Sequence, residues 1–290
     1  MDYNISKFFR RYNSMPELPE VETIMRGLTP HLEGAIIQDV IIRHPQLRWP
    51  IPQNLKSHLN QQKIIQLSRR GKYLLIHIAR GTLIVHLGMS GSLRILKHHT
   101  SPTRHDHVDI IFSDHFLLRY HDPRRFGAVL WTEDDPYMHP LLKNMGIEPL
   151  DPQFTGQYLK NTTLKRHVAI KPFIMNSKIV TGIGNIYAAE ALFLANIHPL
   201  TRSSLLTQTQ CERLVDAIQK ILKAAIAQGG TTLKDFVNSD GKPGYFSQKL
   251  HVYGRGGLPC TVCATPLQSI QLGQRSTVFC AHCQLDTNCL

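Results

Sequence analysis

The spacing of apolar residues changes along the chain and divides it into regions. Between residues 17 and 32 they recur every three or four positions, which predicts a helix with Pro19 in its first turn and acidic side chains near its N-terminus. Short β-branched and aromatic segments broken by Gly, Pro and Asp follow. They predict seven strands, over residues 35–43, 63–68, 73–79, 82–87, 107–112, 116–120 and 128–131. Strands of this kind indicate a β-sandwich or barrel.

The second half of the chain has helical spacing. An acidic segment with several prolines predicts a linker over residues 133–152. Beyond it the pattern predicts helices over residues 171–180, 185–195 and 208–228, and Ser239 to Gly244 reads as a loop. We therefore predict an α+β protein of several domains, comprising a β-sandwich flanked by helices (16–132), the linker, a helical domain (153–248) and a C-terminal module (249–290).

Charge and composition narrow the range of possible functions. The chain has 33 Lys and Arg against 21 Asp and Glu, a formal net charge of +12, and 42% of its residues are hydrophobic. This balance predicts a folded protein that binds a polyanion, most often nucleic acid. No apolar segment approaches the ~18 residues of a membrane span. The first 14 residues also lack the apolar segment of a signal peptide. We expect a cytoplasmic protein with no membrane partner.

The cysteines predict a metal site. Four of the six form two Cys-x2-Cys pairs separated by 16 residues, namely Cys260, Cys263, Cys280 and Cys283. Four thiolates at this spacing can surround one Zn²⁺ tetrahedrally and leave no open position, so the ion is predicted to be structural. This cysteine pattern indicates free, metal-binding thiols in a reducing compartment rather than a framework of disulfides. His282 is an alternative ligand, and Cys211 and Cys289 receive no role.

Three further motifs, in order along the chain, carry a resemblance. They are Pro16-Glu17-Leu18-Pro19-Glu20 after Met15, Asp122-Pro123-Arg124-Arg125-Phe126-Gly127, and Thr181-Gly182-Ile183-Gly184-Asn185. Together with the cysteine module they extend from Pro16 to Gln284, and the chain resembles the formamidopyrimidine-DNA glycosylase family. The resemblance implies a helix-two-turn-helix domain. It also implies a β-hairpin zinc finger, with Gln274, Arg275 and Ser276 at the hairpin turn.

The resemblance implies an enzyme of base-excision repair. Such an enzyme removes oxidised purines, such as 8-oxoguanine and formamidopyrimidines, from duplex DNA and cleaves the abasic strand by β,δ-elimination. It implies the α-amine of Pro16 as nucleophile, Glu17 as the group that carries protons, and further catalytic contributions from Glu20, Lys72 and Arg275. An α-amine is unprotonated in roughly a tenth of molecules at pH 7, against under about a thousandth for lysine.

The same chemistry sets an expectation for the start of the chain. A proline nitrogen inside a peptide bond is an amide and cannot attack a sugar carbon. We therefore expect the active form to begin at Pro16, with residues 1–15 absent from it because they reflect an upstream start assignment or a removed segment.

Other residues are expected to bind DNA. By resemblance, Met89, Arg124 and Phe126 fill the gap that a flipped base leaves, with Arg124 facing the orphaned cytosine. The remaining DNA contacts are assigned to Lys171, Asn185, Arg275 and His105. Residues 239–245 correspond to a loop over the extruded base. The expected partner is duplex DNA with oxidised bases or abasic sites, bound by a monomer.

Alternatives remain open at this point. An endonuclease VIII-like glycosylase for oxidised pyrimidines shares the proline and the zinc finger, and a non-catalytic damaged-DNA-binding protein could share the scaffold. Locally, Glu17 and Glu20 could serve only as helix N-terminal charges, and Asn185 could be a simple N-cap. Met89 and Phe126 could be core residues. A nucleotide-hydrolysing enzyme is disfavoured because the sequence has no P-loop.

Overall fold

The computed structural model describes residues 16–97, 100–113, 116–229 and 250–285. The described residues form two compact units, one comprising residues 16–143 and the other Asn144–Gln228 with residues 250–285. The predicted extension over residues 1–15, the loop over 239–245 and Cys289 lie outside the described residues. Among the helices that are described, none is long and apolar enough to cross a membrane.

The first unit is a sandwich of two four-stranded antiparallel sheets with strand orders β1-β6-β7-β5 and β2-β3-β4-β8. Its strands are β1 (Ile37–Ile42), β2 (Ile64–Arg70), β3 (Tyr73–Ile78), β4 (Gly81–His86), β5 (Ser92–Lys97), β6 (Asp106–Phe112), β7 (Phe116–His121) and β8 (Ala128–Thr132). Both sheets contribute apolar side chains to one core, including Leu74, Val85, Leu93 and Val108. The predicted sandwich is confirmed.

Helix α1 (Leu18–Leu32) packs on this core through Val21, Ile24 and Leu28, all at most 3% exposed. Burying each such side chain stabilises the fold by roughly 1.5–3 kcal/mol. The helix begins where the sequence predicts, with Glu17 as its N-cap and a reciprocal capping box between Glu17 and Glu20. A short helix α2 (Leu55–Leu59) follows β1. Packing of α1 therefore fixes the position of the residues at its N-terminus.

The sequence prediction missed strand β5. This strand lies at the edge of its sheet and pairs only with β7. Its inward side chains are apolar, but Arg94 and Lys97 interrupt the segment, as charged residues commonly do on edge strands. The prediction of seven strands was therefore wrong by one, since a charged edge strand lacks the hydrophobic density of the central ones.

The second unit contains four helices and a hairpin. The helices are α3 (Gly156–Thr163), α4 (Ile170–Ile174), α5 (Asn185–Leu194) and α6 (Gln208–Ala227), and the hairpin strands are β9 (Gln268–Leu272) and β10 (Arg275–Phe279). The predicted helix over residues 171–180 was wrong, because α4 ends at Ile174. Beyond it, Lys178 N donates to the Asn176 side chain (Oδ1) at 3.0 Å, whereas a continued helix would need this N–H for the Ile174 carbonyl.

Two buried side chains join the hairpin module to the helices. The Glu190 carboxylate, fully buried on α5, accepts hydrogen bonds of 2.7–2.9 Å from the main-chain nitrogens of residues 251–253. Gln284 Nε2, from the end of the module, donates to Ile197 O at 2.8 Å. These bonds hold both ends of the module against the helices, which compensates for its small apolar core.

A buried histidine in the first unit makes stability dependent on pH. Nδ1 of His86, at the end of β4, accepts a hydrogen bond from Gly88 N at 3.1 Å, so the ring is neutral. Burial, with smaller repulsion from Lys72 and Arg48, lowers the pKa of His86 from its ordinary 6.5 to about 4. The unfolded chain therefore binds this proton more tightly than the folded chain does.

We predict that this difference destabilises the protein in acid. The stabilisation from neutral His86 is complete above pH 6.5 and is lost as the pH falls from 6.5 towards 4, by at most about 3 kcal/mol. Urea unfolding at pH 7.5, 6 and 5 measures the loss, and His86→Gln should remove this part of it. An identical pH dependence in the wild type and His86→Gln would contradict the prediction.

Candidate functional site

The N-terminus of α1 brings Pro16 beside two buried carboxylates. Glu17 and Glu20 are 2% and 1% exposed, and Glu17 N donates to Glu20 Oε2 at 3.0 Å. Pro16 itself is half-buried and lies directly before this capped turn. The glutamates are thus helix caps, as one interpretation of the sequence expected. They are also acidic groups held next to a nitrogen that becomes an amine when Pro16 is the first residue.

Lys72 lies in the two-residue turn between β2 and β3, where Gly71 has a φ of +56° that favours glycine. The preceding Arg69 fixes this turn to α1, since its Nε donates to Glu22 Oε2 at 2.9 Å and its Nη1 to Gly71 O at 3.0 Å. Burial opposes ionisation of Glu22, but hydrogen bonding to Arg69 and its charge hold the pKa below its ordinary value. One ion pair therefore connects the Lys72 turn to the helix that follows Pro16.

Two loops of the first unit carry the residues expected to fill a gap in the duplex. Met89 lies between β4 and β5 and is half-buried, whereas Arg124 and Phe126 lie between β7 and β8 and are exposed, Phe126 by 45%. The Arg124 guanidinium carbon lies 4.9 Å from the centre of the Phe126 ring. The Phe126 ring and the Arg124 cation lie together on an open loop. The alternative that Phe126 belongs to the core is therefore wrong.

His105 lies in the connection that precedes β6. Its ring packs edge-on against His121 at 6.0 Å, and its carbonyl accepts a hydrogen bond from Asp122 N at 3.0 Å. The buried Arg119 donates from Nη2 to Thr100 O at 2.9 Å and so fixes the start of the same connection. His105 is therefore held by the sheet rather than by its own loop alone.

In the second unit, three of the expected DNA-binding residues line one groove of about 250 Å³: Lys171, Asn185 and Arg275. Arg275 is exposed, but Lys171 is only 1% exposed. Nζ of Lys171 donates to Asn185 Oδ1 and to Thr277 Oγ1, both at 2.7 Å. The N-cap of α5 is Gly184, so the interpretation of Asn185 as a simple N-cap is wrong. Lys171 instead joins the start of α5 to strand β10.

The cysteine cluster fits a tetrahedral metal. The Sγ atoms of Cys260, Cys263, Cys280 and Cys283 all lie within 4.8 Å of one another, and three of their separations are 3.5–3.9 Å. A zinc ion with bonds of about 2.3 Å to four sulfurs separates them by roughly 3.8 Å. These distances exclude disulfides. His282 is exposed and is not in the cluster, so its alternative role as a ligand is wrong.

The hairpin of this module is confirmed, with one adjustment. Gly273 and Gln274 form its turn, both with positive φ, and Arg275 is the first residue of β10 rather than a turn residue. Sequence reasoning missed Thr277, which is 1% exposed and contacts Lys171, and it gave Arg69 no role. Neither residue carries a local signal, because each acts through a partner distant in sequence.

The comparisons with known proteins agree with this arrangement. Three family models match the chain in order: the formamidopyrimidine-DNA glycosylase N-terminal domain over residues 15–129, the formamidopyrimidine-DNA glycosylase H2TH domain over residues 145–237, and a zinc finger found in FPG and IleRS over residues 257–285. The last match, together with the sulfur geometry, identifies one structural zinc ion held by the four cysteines.

Relatives match along nearly the full chain. The formamidopyrimidine-DNA glycosylase of Teredinibacter turnerae is 55% identical over 271 residues, which cover 93% of this chain and 100% of the relative. Structures of Lactococcus lactis Fpg with DNA containing Fapy-dG, an abasic site or an oxidised pyrimidine each have a TM-score of 0.85 and 34% identity, and cover 93% of this chain and 100% of theirs. The chain therefore belongs to the formamidopyrimidine-DNA glycosylase family, whose members are DNA glycosylases and abasic-site lyases of base-excision repair.

Proposed function

We propose that this chain excises oxidised purines, including 8-oxoguanine and formamidopyrimidines, from duplex DNA through a covalent intermediate at Pro16, and then cleaves the strand. The observation that carries the proposal is the position of Pro16 directly before two buried carboxylates, in a chain that matches its family over nearly its whole length. The Lactococcus lactis complexes with Fapy-dG and abasic DNA support this choice of substrate.

The chemistry follows from a secondary amine. The nitrogen of an N-terminal Pro16 attacks C1′ of the damaged nucleotide, the glycosidic bond breaks and the base departs with a proton. Opening of the sugar ring then gives an iminium ion, which remains cationic because a secondary amine has no second proton to lose. The cation acidifies the C2′ hydrogen. Removal of this proton drives the elimination that expels the 3′ phosphate. A second elimination expels the 5′ phosphate and leaves phosphate at both ends of the gap.

The neighbouring charged groups fit the steps that move protons. We assign Glu17 to protonation of the sugar ring oxygen and to proton transfer during elimination, because Glu17 directly follows Pro16 and is withdrawn from bulk water. Glu20 is the second carboxylate and orients Glu17 through the capping box. Lys72, fixed by Arg69, supplies a positive charge for the phosphate beside the lesion. We assign Arg275, in the second unit, to a contact with a DNA phosphate that supports catalysis.

DNA contacts divide into gap filling and backbone binding. Met89, Arg124 and Phe126 replace the flipped nucleotide, and the guanidinium of Arg124 donates to the orphaned cytosine. His105, Arg275 and Asn185 bind phosphates, and the amides at the start of α5 add donors. Lys171 is buried and acts mainly as a support, because its ammonium holds the Asn185 side chain in place through a hydrogen bond. The protein acts as a cytoplasmic monomer on chromosomal DNA.

A second substrate class is favoured by one observation. Lactococcus lactis Fpg has been solved with DNA that contains an oxidised pyrimidine. We propose oxidised pyrimidines as secondary substrates of this chain. Parallel assays on 8-oxoguanine and on an oxidised pyrimidine, each opposite its usual partner base, rank the two. Release of pyrimidines alone would replace the main proposal with an endonuclease VIII-like activity.

We predict that the nucleophile appears only when Pro16 is the first residue. A form that begins at Pro16 should give a borohydride-trapped adduct with a duplex containing 8-oxoguanine opposite cytosine. A form that retains residues 1–15 should give no adduct above background, because an amide nitrogen is not nucleophilic. Peptide mapping of the adduct identifies the attached residue, and N-terminal sequencing of protein from its native cell identifies the start. Efficient trapping by a chain that still begins at Met1 would make a lysine such as Lys72 the nucleophile.

A second prediction concerns salt. The logarithm of DNA affinity should fall linearly with the logarithm of salt concentration, and Arg275→Ala should lower the slope by roughly one unit, since each phosphate contact contributes ~0.9. Lys171→Ala should also make the slope shallower, and it should lower the melting temperature because Lys171 joins α5 to β10. Arg213→Ala, at an exposed position on α6 outside the groove, is the matched control. Unchanged slopes in both test variants would remove them from the contact list.

A third prediction separates zinc from the chemistry. Chelation of zinc or Cys280→Ser should abolish duplex binding by unfolding the module, whose apolar core is too small to fold alone, while the first unit stays folded. Zinc content by mass spectrometry and binding by fluorescence anisotropy test this, with Cys289→Ser as a control outside the metal pattern. Fully active protein with almost no zinc would contradict the prediction.

A further inference from the structure

We propose that Asp122 is a positioning residue that fixes the two gap-filling loops against each other, so that three side chains enter the duplex as one unit. The first loop, residues 87–91, carries Met89 and is called the Met89 loop. The second, residues 122–127, carries Arg124 and Phe126 and is called the Arg124 loop. The inference rests on the proposed function and extends it to a residue that does not itself touch DNA.

The side chain of Asp122 is fully buried and accepts four hydrogen bonds. Oδ1 accepts from Ser90 Oγ of the Met89 loop at 2.6 Å and from Arg124 N at 3.3 Å. Oδ2 accepts from Gly127 N at 2.9 Å and from Tyr120 Oη at 3.3 Å. One carboxylate therefore closes the Arg124 loop at both of its ends and connects that loop to the other.

Ser90 strengthens the connection between the loops. Its Oγ donates to Asp122 and also accepts a hydrogen bond from Arg124 N at 3.1 Å. The residue next to Met89 thus bonds to the main chain of the residue expected to face the orphaned cytosine. A shift of either loop breaks these bonds, so the separation between Met89 and Arg124 depends on Asp122.

Two glycines leave no room for a side chain, Gly88 against the Arg124 loop and Gly127 against the adjoining strand β7. Gly88 has a φ of +63°, and a Cβ there would lie 2.5 Å from Gly127 N and from the carbonyl carbon of Phe126. A Cβ on Gly127 would lie 1.7 Å from Tyr120 Oη. Burial and the neighbouring carboxylate raise the pKa of Tyr120, so its hydroxyl stays protonated, and its one proton is shared between Asp122 Oδ2 at 3.3 Å and His86 O at 3.1 Å. Close main-chain contact and the shared carboxylate make the two loops one rigid body.

The main chain of Asp122 ties this body to the sheet. Its carbonyl accepts from His107 Nε2 at 2.8 Å and from Arg125 N at 3.2 Å, and its amide donates to His105 O. Groups that must enter a duplex at defined positions need support of this kind, because misplacement by an ångström costs much of their effect. Exposed loops cannot supply it through their own few contacts.

The test compares a substrate that has a gap to fill with one that has none. In Asp122→Asn the amide nitrogen replaces one accepting oxygen without a change in size, so one main-chain N–H loses this acceptor and the hydroxyl paired with it must turn to accept. We expect single-turnover excision of 8-oxoguanine opposite cytosine in duplex DNA to fall at least about tenfold. Borohydride trapping on a single-stranded abasic oligonucleotide, which has no opposite base, should change by less than about twofold.

Ser90→Ala removes only the two hydrogen bonds that Ser90 Oγ makes to the Arg124 loop, and it gives a second variant should Asp122→Asn fold poorly. It should lower the duplex rate about threefold to fivefold and leave single-strand trapping unchanged. 2-Aminopurine placed beside the lesion reports unstacking directly, and its fluorescence rise should be reduced in both variants. Thr82→Val is the matched control, because it deletes a buried hydrogen bond to His77 at the opposite end of β4 and should lower stability without affecting either substrate.

Three results would overturn the proposal. They are an equal loss on the duplex and on the single strand, an unchanged duplex rate and fluorescence in both variants, and a Thr82→Val variant that reproduces the duplex-specific loss. Failure of the proposed function looks different, because the wild-type protein that begins at Pro16 would then itself fail to excise 8-oxoguanine from the duplex.

Discussion

A carboxylate that folding removes from water must be surrounded by hydrogen-bond donors, since the desolvation cost of an unpaired buried charge is larger than packing can offset. This constraint acts at three of the segments to which a function is assigned. Glu17 and Glu20 satisfy each other's main chain beside Pro16, Asp122 collects donors from two loops, and Glu190 accepts three main-chain bonds from the segment that enters the zinc module. Each carboxylate fixes its segment, because moving the segment would leave the buried charge without hydrogen-bond donors.

Buried carboxylates are needed because of the kind of segment that they fix. A chain terminus, tight loops and a small metal module have little apolar surface to bury, so hydrophobic packing alone cannot fix them. Main-chain hydrogen bonds to a buried carboxylate are directional and strengthen in a low dielectric. In the proposed reaction the carboxylates next to Pro16 have a second use, because they are already in place to stabilise the cationic intermediate without having to reorganise.

The two units contain different kinds of functional residue. The first contains Pro16, its carboxylates and the side chains that we propose fill the duplex, all attached to a sandwich whose core is continuous. The second contains the groove with Arg275, and its zinc keeps the hairpin folded. Lys171 illustrates how these roles merge, since a residue expected to contact phosphate is almost fully buried and bonded to Asn185 and Thr277. Its charge raises the potential of the groove, while its hydrogen bonds hold α5 and β10 together.

The sequence by itself determined the sandwich, the extent of α1 and α6, the cysteine ligands and the family, because each depends on periodicity or spacing within a short segment. Tertiary structure decided the rest. Edge strand β5 was hidden by its charges, and α4 ended at Ile174, beyond which the Asn176 side chain takes an N–H that a longer helix would need. The partners of Asp122, Lys171 and Arg69 are likewise distant in sequence. A buried polar residue has no periodic signal, since what keeps it inside is the set of donors and acceptors that only the folded chain assembles.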